Sequence, residues 1–222
     1  MDLKRGRGPP LTAAGRRCRW LNATVLGIGL ASLFADVSHE MATAALPAFL
    51  ASLGAGSPAL GLIEGLSDGL SSLAKLLSGH WSDALRRRKP LAVLGYAVTA
   101  AATASFSVAR SWLDVLAARA AGWIGRGARG PVRNVLLTEA STPDSYGRAF
   151  GLERAMDSAG AVIGPVLALA AVSAWGLRPM FALTIVPGIL AALVIVFLVG
   201  EKPHERGGPG RSEPRGPRPA GP

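Results

Sequence analysis

The chain contains six long apolar segments separated by short connections. A helix needs about 20 residues to cross a hydrocarbon core of roughly 30 Å. Two of the segments and most of a third carry no charged residue, and the other three fit a membrane only if their charges face protein or water. The pattern therefore predicts six transmembrane helices, at residues 21–51, 58–82, 90–108, 112–137, 149–175 and 181–199.

The composition of these segments favours helices over strands. Ala, Leu and Gly dominate, the runs are long, and polar residues do not alternate with apolar ones. The strands of a membrane barrel are only about 9–11 residues long. We expect an all-α membrane protein with a basic N-terminal arm over residues 1–20 and a six-helix bundle over 21–200. The tail over 201–222 is so rich in Gly and Pro that we expect disorder.

The net charge of +10 is concentrated in segments that should lie on one side of the membrane. Lys and Arg are frequent in the arm, in the tail and at residues 86–89, and Arg148 and Arg154 lie near the connection before the fifth segment. The opposite connections contribute only Arg110 and Arg178. The positive-inside rule therefore predicts a multi-pass protein of the inner (cytoplasmic) membrane with both termini cytoplasmic and its basic clusters against anionic lipids. Nucleic acid is not expected as a partner, because the basic residues flank apolar helices without a nucleic-acid-binding motif.

Several function classes are disfavoured by residues that the chain lacks. The single cysteine, Cys18, excludes a disulfide framework and a multi-cysteine metal site. The three histidines are far apart in the sequence, so we expect no metal and no cofactor. Neither the HExxH motif of zinc enzymes nor a P-loop is present, and an enzyme is not expected. A channel is disfavoured because no filter-like re-entrant stretch occurs.

Charged residues inside the apolar segments fall on single helix faces. Asp36 and Glu40 are one turn apart in the first segment, and Glu153 and Asp157 repeat this spacing in the fifth. A charge at mid-bilayer costs about 2.5–3.5 kcal/mol on insertion scales, so such residues usually face a partner or water. The same one-sided arrangement recurs in the second and fourth segments, at Glu64, Asp68, Lys75, Arg119, Arg126, Arg129 and Arg133.

Alternating chain direction places these charges in two layers of a polar cavity. In the outer layer we expect Arg119 to pair with Asp36 or Asp68. In the inner layer we expect Asp157 to pair with Arg126 or Arg129. A role in holding helices together explains the inner layer best, and it explains the outer layer as well as transport does. The candidates for solute binding or proton coupling are Asp36, Glu40, Asp68, Arg119, Arg126 and Asp157.

Small residues recur one turn apart in the second and fifth segments. Glycines spaced four residues apart allow two helices to approach closely. In the fifth segment a proline follows the second glycine and adds a kink or a hinge. The predicted packing and hinge positions are Gly61, Gly65, Gly69, Gly160, Gly164 and Pro165.

Three glycine-containing patterns stand in order on the second, fourth and fifth segments. Gly79, Ser82 and Asp83 precede the basic run 86–89 after the second segment. Arg119 in the fourth segment is followed by glycines three, six and eight residues later. The fifth segment carries the stretch 157–165, which runs from an aspartate to a Gly-Pro pair. Together these patterns resemble the loop after helix two, the buried arginine of helix four and the Gly-Pro motif of helix five in the major facilitator superfamily.

The resemblance covers about residues 20–200, which corresponds to one six-helix half of that fold. It implies secondary active transport of a small solute by alternating access, with proton-coupled antiport or efflux among its forms. It also implies a cytoplasmic latch loop formed by Gly79, Asp83, Arg87, Arg88 and Lys89. The alternative is a truncated half-transporter that is inactive alone and depends on a second six-helix half or on self-association.

Overall fold

The computed structural model describes residues 20–84 and 88–201, with residues 79–84 as backbone only. Nearly all of these residues are helical, and no strand occurs among them. The all-α prediction is therefore confirmed for this part of the chain. The arm over 1–19, residues 85–87 and the tail beyond 201 lie outside it. The helices are α1 (Ala23–Ser52), α2 (Ser57–Ala84), α3 (Lys89–Ser105), α4 (Trp112–Ala140), α5 (Tyr146–Trp175), α6 (Leu177–Leu183) and α7 (Ile185–Leu198).

The first five predicted segments each become one long helix, whereas the sixth is broken into two. The break lies at Thr184, whose hydroxyl donates to the Phe181 carbonyl over 2.7 Å. Pro187, which has no backbone N–H to donate, follows in the first turn of α7. The helical part also begins earlier than predicted, at Leu177 rather than at residue 181.

Four stretches of the described chain are long and apolar enough to cross a membrane: Ala23–Ser52, Lys89–Val108, Pro143–Trp175 and Leu177–Leu198. The helices α2 and α4 have 28 and 29 residues, so their length suffices. Charged side chains are distributed along both of them, and this lowers their hydropathy. Length and composition therefore support four of the six predicted spans. The other two, α2 and α4, fit a membrane only with their charged side chains facing protein or water.

Local sequence signals fix several helix ends. The Asn22 side-chain oxygen accepts from the Val25 N–H over 2.9 Å and caps α1. Ser111 and Asp114 form a reciprocal capping box at the start of α4. At the end of α5, Gly176 adopts φ +86°, a conformation that favours glycine and allows the chain to turn into α6.

Packing builds the bundle around α1 and α4. The helix α1 packs against α5 and α7, while α4 packs against α2 and α3. Two apolar clusters fill the interior, one that includes Phe49, Phe106 and Phe181 and one that includes Ile28 and Tyr96. On α1 the second cluster ends at residue 35 and the first begins at residue 37. Asp36 therefore lies where the two apolar clusters meet, at the level of the candidate site.

Candidate functional site

The candidate site is a row of four arginines on one face of α4. Residues spaced seven, three and four apart share a helix face, which explains why the four point the same way. Arg119 and Arg129 are nearly enclosed, whereas Arg126 and Arg133 are partly exposed, with 24% and 18% of the side chain accessible. The row therefore presents two buried and two accessible guanidinium groups.

At the outer end of the row, Arg119 binds α2 and α1. Its Nη2 lies 2.9 Å from Glu64 Oε1 and donates to Thr43 Oγ1 over 3.1 Å. The predicted pairing of Arg119 with Asp36 or Asp68 is wrong. Asp36 lies seven residues from Thr43 on α1, about 10 Å along the helix axis, and Asp68 is exposed on α2.

In the middle of the row, Arg126 pairs with Asp36 of α1. The distance from Arg126 Nη1 to Asp36 Oδ1 is 2.9 Å, and the Asp36 side chain is only 6% exposed. The sequence had placed these two residues in different layers of the cavity. Their contact shows that they lie at one depth, between the two apolar clusters.

At the inner end, Arg133 joins α5 to α1. Its Nη1 lies 2.8 Å from Glu153 Oε1 and donates to Ser32 Oγ over 2.9 Å. Ser32 in turn donates to Glu153 over 3.0 Å, which closes a buried triangle. Glu153 and Arg133 were absent from the candidate set, although both belong to the charged faces visible in the sequence.

Asp157 does not pair with Arg126 or Arg129, so that prediction is also wrong. Its carboxylate lies 3.3 Å from Arg154 Nη1 on α5 and 3.9 Å from Arg133 Nη1. The position of Asp157, one turn after Glu153 on α5, places it beside Arg133 rather than deeper along α4.

Arg129 is stabilised by an aromatic ring instead of a carboxylate. Its Cζ lies 4.1 Å from the centre of the Tyr96 ring, a close cation–π contact. Both side chains are buried between α3 and α4, where Gly95 and Gly125 allow the two backbones to approach. Tyr96 was missed because an aromatic residue in an apolar segment has no distinctive spacing.

A second aromatic residue, Trp123, lies between Arg119 and Arg126. The two Cζ atoms are 5.7 and 5.6 Å from the centre of the Trp123 ring. The His39 ring stands edge-on to it, with 5.1 Å between ring centres and an interplanar angle of 87°. This arrangement places an aromatic platform between the first two arginines of the row.

Two remaining candidates carry unpaired charges. Glu40 is half-buried on α1 and Asp68 is exposed on α2, and neither makes an ion pair within residues 20–84 and 88–201. Those residues also contain no group of three His, Cys, Asp or Glu side chains that would hold a metal ion.

The two glycine rows occupy different environments. A Cβ at Gly160 would lie 2.6 Å from the Leu33 carbonyl oxygen, and one at Gly164 would lie 2.7 Å from Glu40 Cβ. These two glycines therefore allow α5 to lie directly against α1, and α5 continues as one helix through Pro165. A Cβ at Gly61, Gly65 or Gly69 of α2 would meet no atom of the described chain within 4 Å.

Only part of the predicted latch loop lies within the residues that the structure describes. Gly79 and Asp83 belong to the backbone of α2, and Arg87 lies outside the described residues. Arg88 pairs with Glu139 through its guanidinium and donates its backbone N–H to Glu201. Arg88 thus connects the start of α3 to the end of α4 and to the residue that follows α7.

Lys89 and Glu201 connect the start of α3 to the end of α7. The Lys89 amine donates to the carbonyls of Val196 and Val199 over 2.7 and 2.8 Å. Glu201 accepts from the Lys89 backbone N–H over 3.2 Å. Each residue thereby satisfies backbone groups that the other helix end leaves unpaired.

Comparison with known sequences gives a family and two groups of relatives. The sequence profile described as Major Facilitator Superfamily matches residues 28–221. An uncharacterized MFS-type transporter of Methanocaldococcus jannaschii is 33% identical over 187 residues, which are 83% of this chain and 46% of that protein. An uncharacterized protein of Mycobacterium bovis is 29% identical over 187 residues, which are 83% of this chain and 45% of that protein. The chain spans about half the length of these curated relatives.

Solved structures show the same fold. A bacterial homolog of the human lysosomal transporter Spinster, inward-facing and occupied, superposes with a TM-score of 0.70 at 20% identity, covering 82% of this chain and 44% of that one. A mutant of the peptide transporter POT in complex with sulfate gives a TM-score of 0.70 at 16% identity, covering 85% and 39%. At such identities the likeness concerns the fold alone.

Proposed function

The chain belongs to the Major Facilitator Superfamily, and we propose on this premise that it acts in secondary transport of a small solute. The proposed mechanism is alternating access across the cytoplasmic membrane. Membership in a transporter family makes the chain an integral membrane protein rather than an enzyme.

The observation that carries the proposal is the row of ion pairs inside the bundle. Three arginines of α4 meet carboxylates from three different helices, namely α2, α1 and α5. Charges at membrane depth are costly and commonly mark solute or proton pathways. Contacts that join α4 to α2, α1 and α5 also provide groups that can exchange partners when helices move.

Proton coupling of the antiport or efflux type belongs to the same proposal. Asp36 is enclosed and bound to one arginine, and Asp157 lies between two. A carboxylate whose arginine turns to the solute can take a proton in its place, so proton and solute would use the same groups. Arg119, Arg126, Glu40 and Asp68 complete the proposed set.

Six spans with both termini in the cytoplasm are the proposed topology. The helices α2 and α4 are long enough to cross, and the charges on α4 face partners inside the bundle. The basic arm, the 86–89 loop and the tail then lie on one side, against the anionic lipids of the inner leaflet.

The native cysteine offers a direct test of this topology. Cys18 should react with a membrane-impermeant maleimide only from the cytoplasmic side of sealed vesicles. A Cys18→Ser, Arg110→Cys variant moves the single thiol to the connection before α4 and should react only from the opposite side. Labelling of the native chain and of this variant from the same side would contradict the proposed six spans.

A second six-helix unit is the proposed partner, because one face of α2 packs against no other helix in the described part of the chain. Its three glycines have no neighbour within the described residues, and Leu62, Leu73 and Leu76 are exposed beside them. The unit is either the second half found in full-length members or another copy of the chain. The alternative function is a half-transporter that is inactive until this unit is present.

Transport is tested in proteoliposomes loaded with a pH-sensitive dye. The purified chain is assayed with a panel of small acids, amines and sugars, and saturable solute-dependent proton movement that Asp36→Asn abolishes is expected. Activity that appears only after addition of the second half of the Methanocaldococcus jannaschii relative would establish the half-transporter alternative. Flux that never saturates would contradict alternating access.

A further inference from the structure

We propose that Trp123, Arg119 and Arg126 form a subsite for the anionic group of the solute. The solute would then be a small organic anion that carries carboxylate- or phosphate-type oxygens. This inference rests on the proposed transport function and names its substrate class. It also predicts binding that can be measured without transport.

The first argument is the geometry around Trp123. Two guanidinium groups flank its ring at 5.7 and 5.6 Å from the ring centre, and His39 closes one edge. Arginine stacks on indole faces while its planar fork of N–H donors remains directed outward. Both guanidinium groups therefore lie next to the same ring.

The second argument is a surplus of hydrogen-bond donors. Nε and Nη1 of Arg119 and Nε1 of Trp123 are buried without a hydrogen-bond partner in the described part of the chain. An unpartnered buried donor destabilises the structure, and more so when it is charged. Guanidinium and indole N–H groups donate but cannot accept, so only an acceptor-rich ligand satisfies them.

The third argument concerns the carboxylates that would otherwise serve a cationic solute. Glu64 and Asp36 already form ion pairs with Arg119 and Arg126, and the half-buried Glu40, whose charge also acts on Arg119, is the acid of this region without an ion pair in the described residues. The buried nitrogen atoms of Arg119, Arg126 and Trp123 that lack a hydrogen-bond partner in residues 20–84 and 88–201 are donors, so they favour an anion.

Access to the subsite runs through Arg126. Arg119 is 3% exposed, whereas Arg126 is 24% exposed and has only one nitrogen at ion-pair distance from Asp36. Its remaining donors can meet an oxyanion in the two-point geometry that guanidinium groups favour. An anion bound there competes with Asp36 for Arg126, which links solute binding to the enclosed carboxylate.

The test measures Trp123 fluorescence in the 222-residue chain in detergent. The other four tryptophans are replaced by phenylalanine, and retention of fold is checked by circular dichroism and thermal unfolding. Benzoate and phenylphosphonate are titrated as anions, with benzamide as the neutral analogue and benzylamine as the cation. We expect a saturable change with both anions and at least tenfold weaker binding of the other two.

Variants tie the signal to the proposed residues. Arg126→Gln should weaken benzoate binding at least tenfold, and Arg126→Lys, which keeps the charge but not the fork, should weaken it if Arg126→Gln does not fold. Lys75→Gln, an exposed cation of α2, should leave binding unchanged. Calorimetric titration of the wild-type chain provides the second measurement.

The inference would be overturned by equal responses to benzoate and benzamide, by preferential binding of benzylamine, or by anion binding that both Arg126 variants leave intact. Absence of any binding in a folded chain by both methods would also overturn it. Each concerns the substrate class alone, because solute flux in proteoliposomes reports separately on the transport proposal.

Discussion

Arg126 of α4 and Asp36 of α1 form the central ion pair of the bundle, with 2.9 Å between Nη1 and Oδ1. The carboxylate is almost fully enclosed, and the guanidinium is partly open to the surroundings. A carboxylate in such a position depends on its partner, because removal of one member leaves a buried charge without compensation. The pair therefore couples the stability of the bundle to the proposed site.

Exchange of the two charges tests this pairing. Asp36→Arg and Arg126→Asp should each lower the free energy of unfolding by about 3–5 kcal/mol, the cost of breaking a buried pair. The double exchange should recover part of that loss, measured as the thermal unfolding midpoint in detergent. The matched control combines Asp36→Arg with Arg119→Asp, and equal recovery there would show that Arg126 is not the partner.

Glu64 and Asp68 offer a matched comparison on one helix. Glu64→Gln removes the carboxylate that Arg119 contacts at 2.9 Å, so a buried guanidinium loses its charge partner, and a loss of about 1–3 kcal/mol is expected. Asp68→Asn changes an exposed side chain one turn away and should leave the unfolding midpoint unchanged. The pairing would be refuted if the Asp68 variant were the less stable of the two.

Close packing of α5 on α1 predicts a different kind of sensitivity. Gly160→Ala places a methyl group 2.6 Å from the Leu33 carbonyl oxygen, and such overpacking costs about 1–3 kcal/mol. Gly151→Ala, on the same helix, meets no atom of the described residues within 4 Å and should be neutral or stabilising, since alanine favours helices. Thermal unfolding of both variants decides the matter, and equal midpoints would mean that the helices tolerate separation here.

Most of the helices were predictable because their signal is long and repeated. Runs of about 20 apolar residues define α1, α3 and α5 closely, and the capping box at Ser111 marks the start of α4. The sixth segment was predicted as one helix, and the break at Thr184 comes just before Pro187, which has no backbone N–H to donate to the Leu183 carbonyl. Periodicity carries no information about such a break.

The residues of the site were easier to predict than their partners. Periodicity identifies the face of α4 that holds Arg119 and Arg126, because the spacing alone determines it. Partner choice depends on the axial offset and rotation of neighbouring helices, which the sequence does not encode locally. The pairing of Arg119 with Glu64, and the Trp123 platform beside it, therefore emerge only when the helices are placed together.

Lys89 provides the last prediction, at the joint between α3 and α7. Its amine bonds two carbonyls at the end of α7, where a cation is worth about 0.3–1 kcal/mol, and up to about 2 when partly buried. Lys89→Met keeps the length of the side chain and removes the donor, so amide hydrogen exchange should accelerate in the 196–201 segment. Lys75→Met, which removes an exposed amine from α2, is the control and should leave that segment unchanged. Unaltered exchange in the Lys89 variant would mean that the end of α7 is held by its apolar contacts, because the capped carbonyls would then contribute nothing measurable.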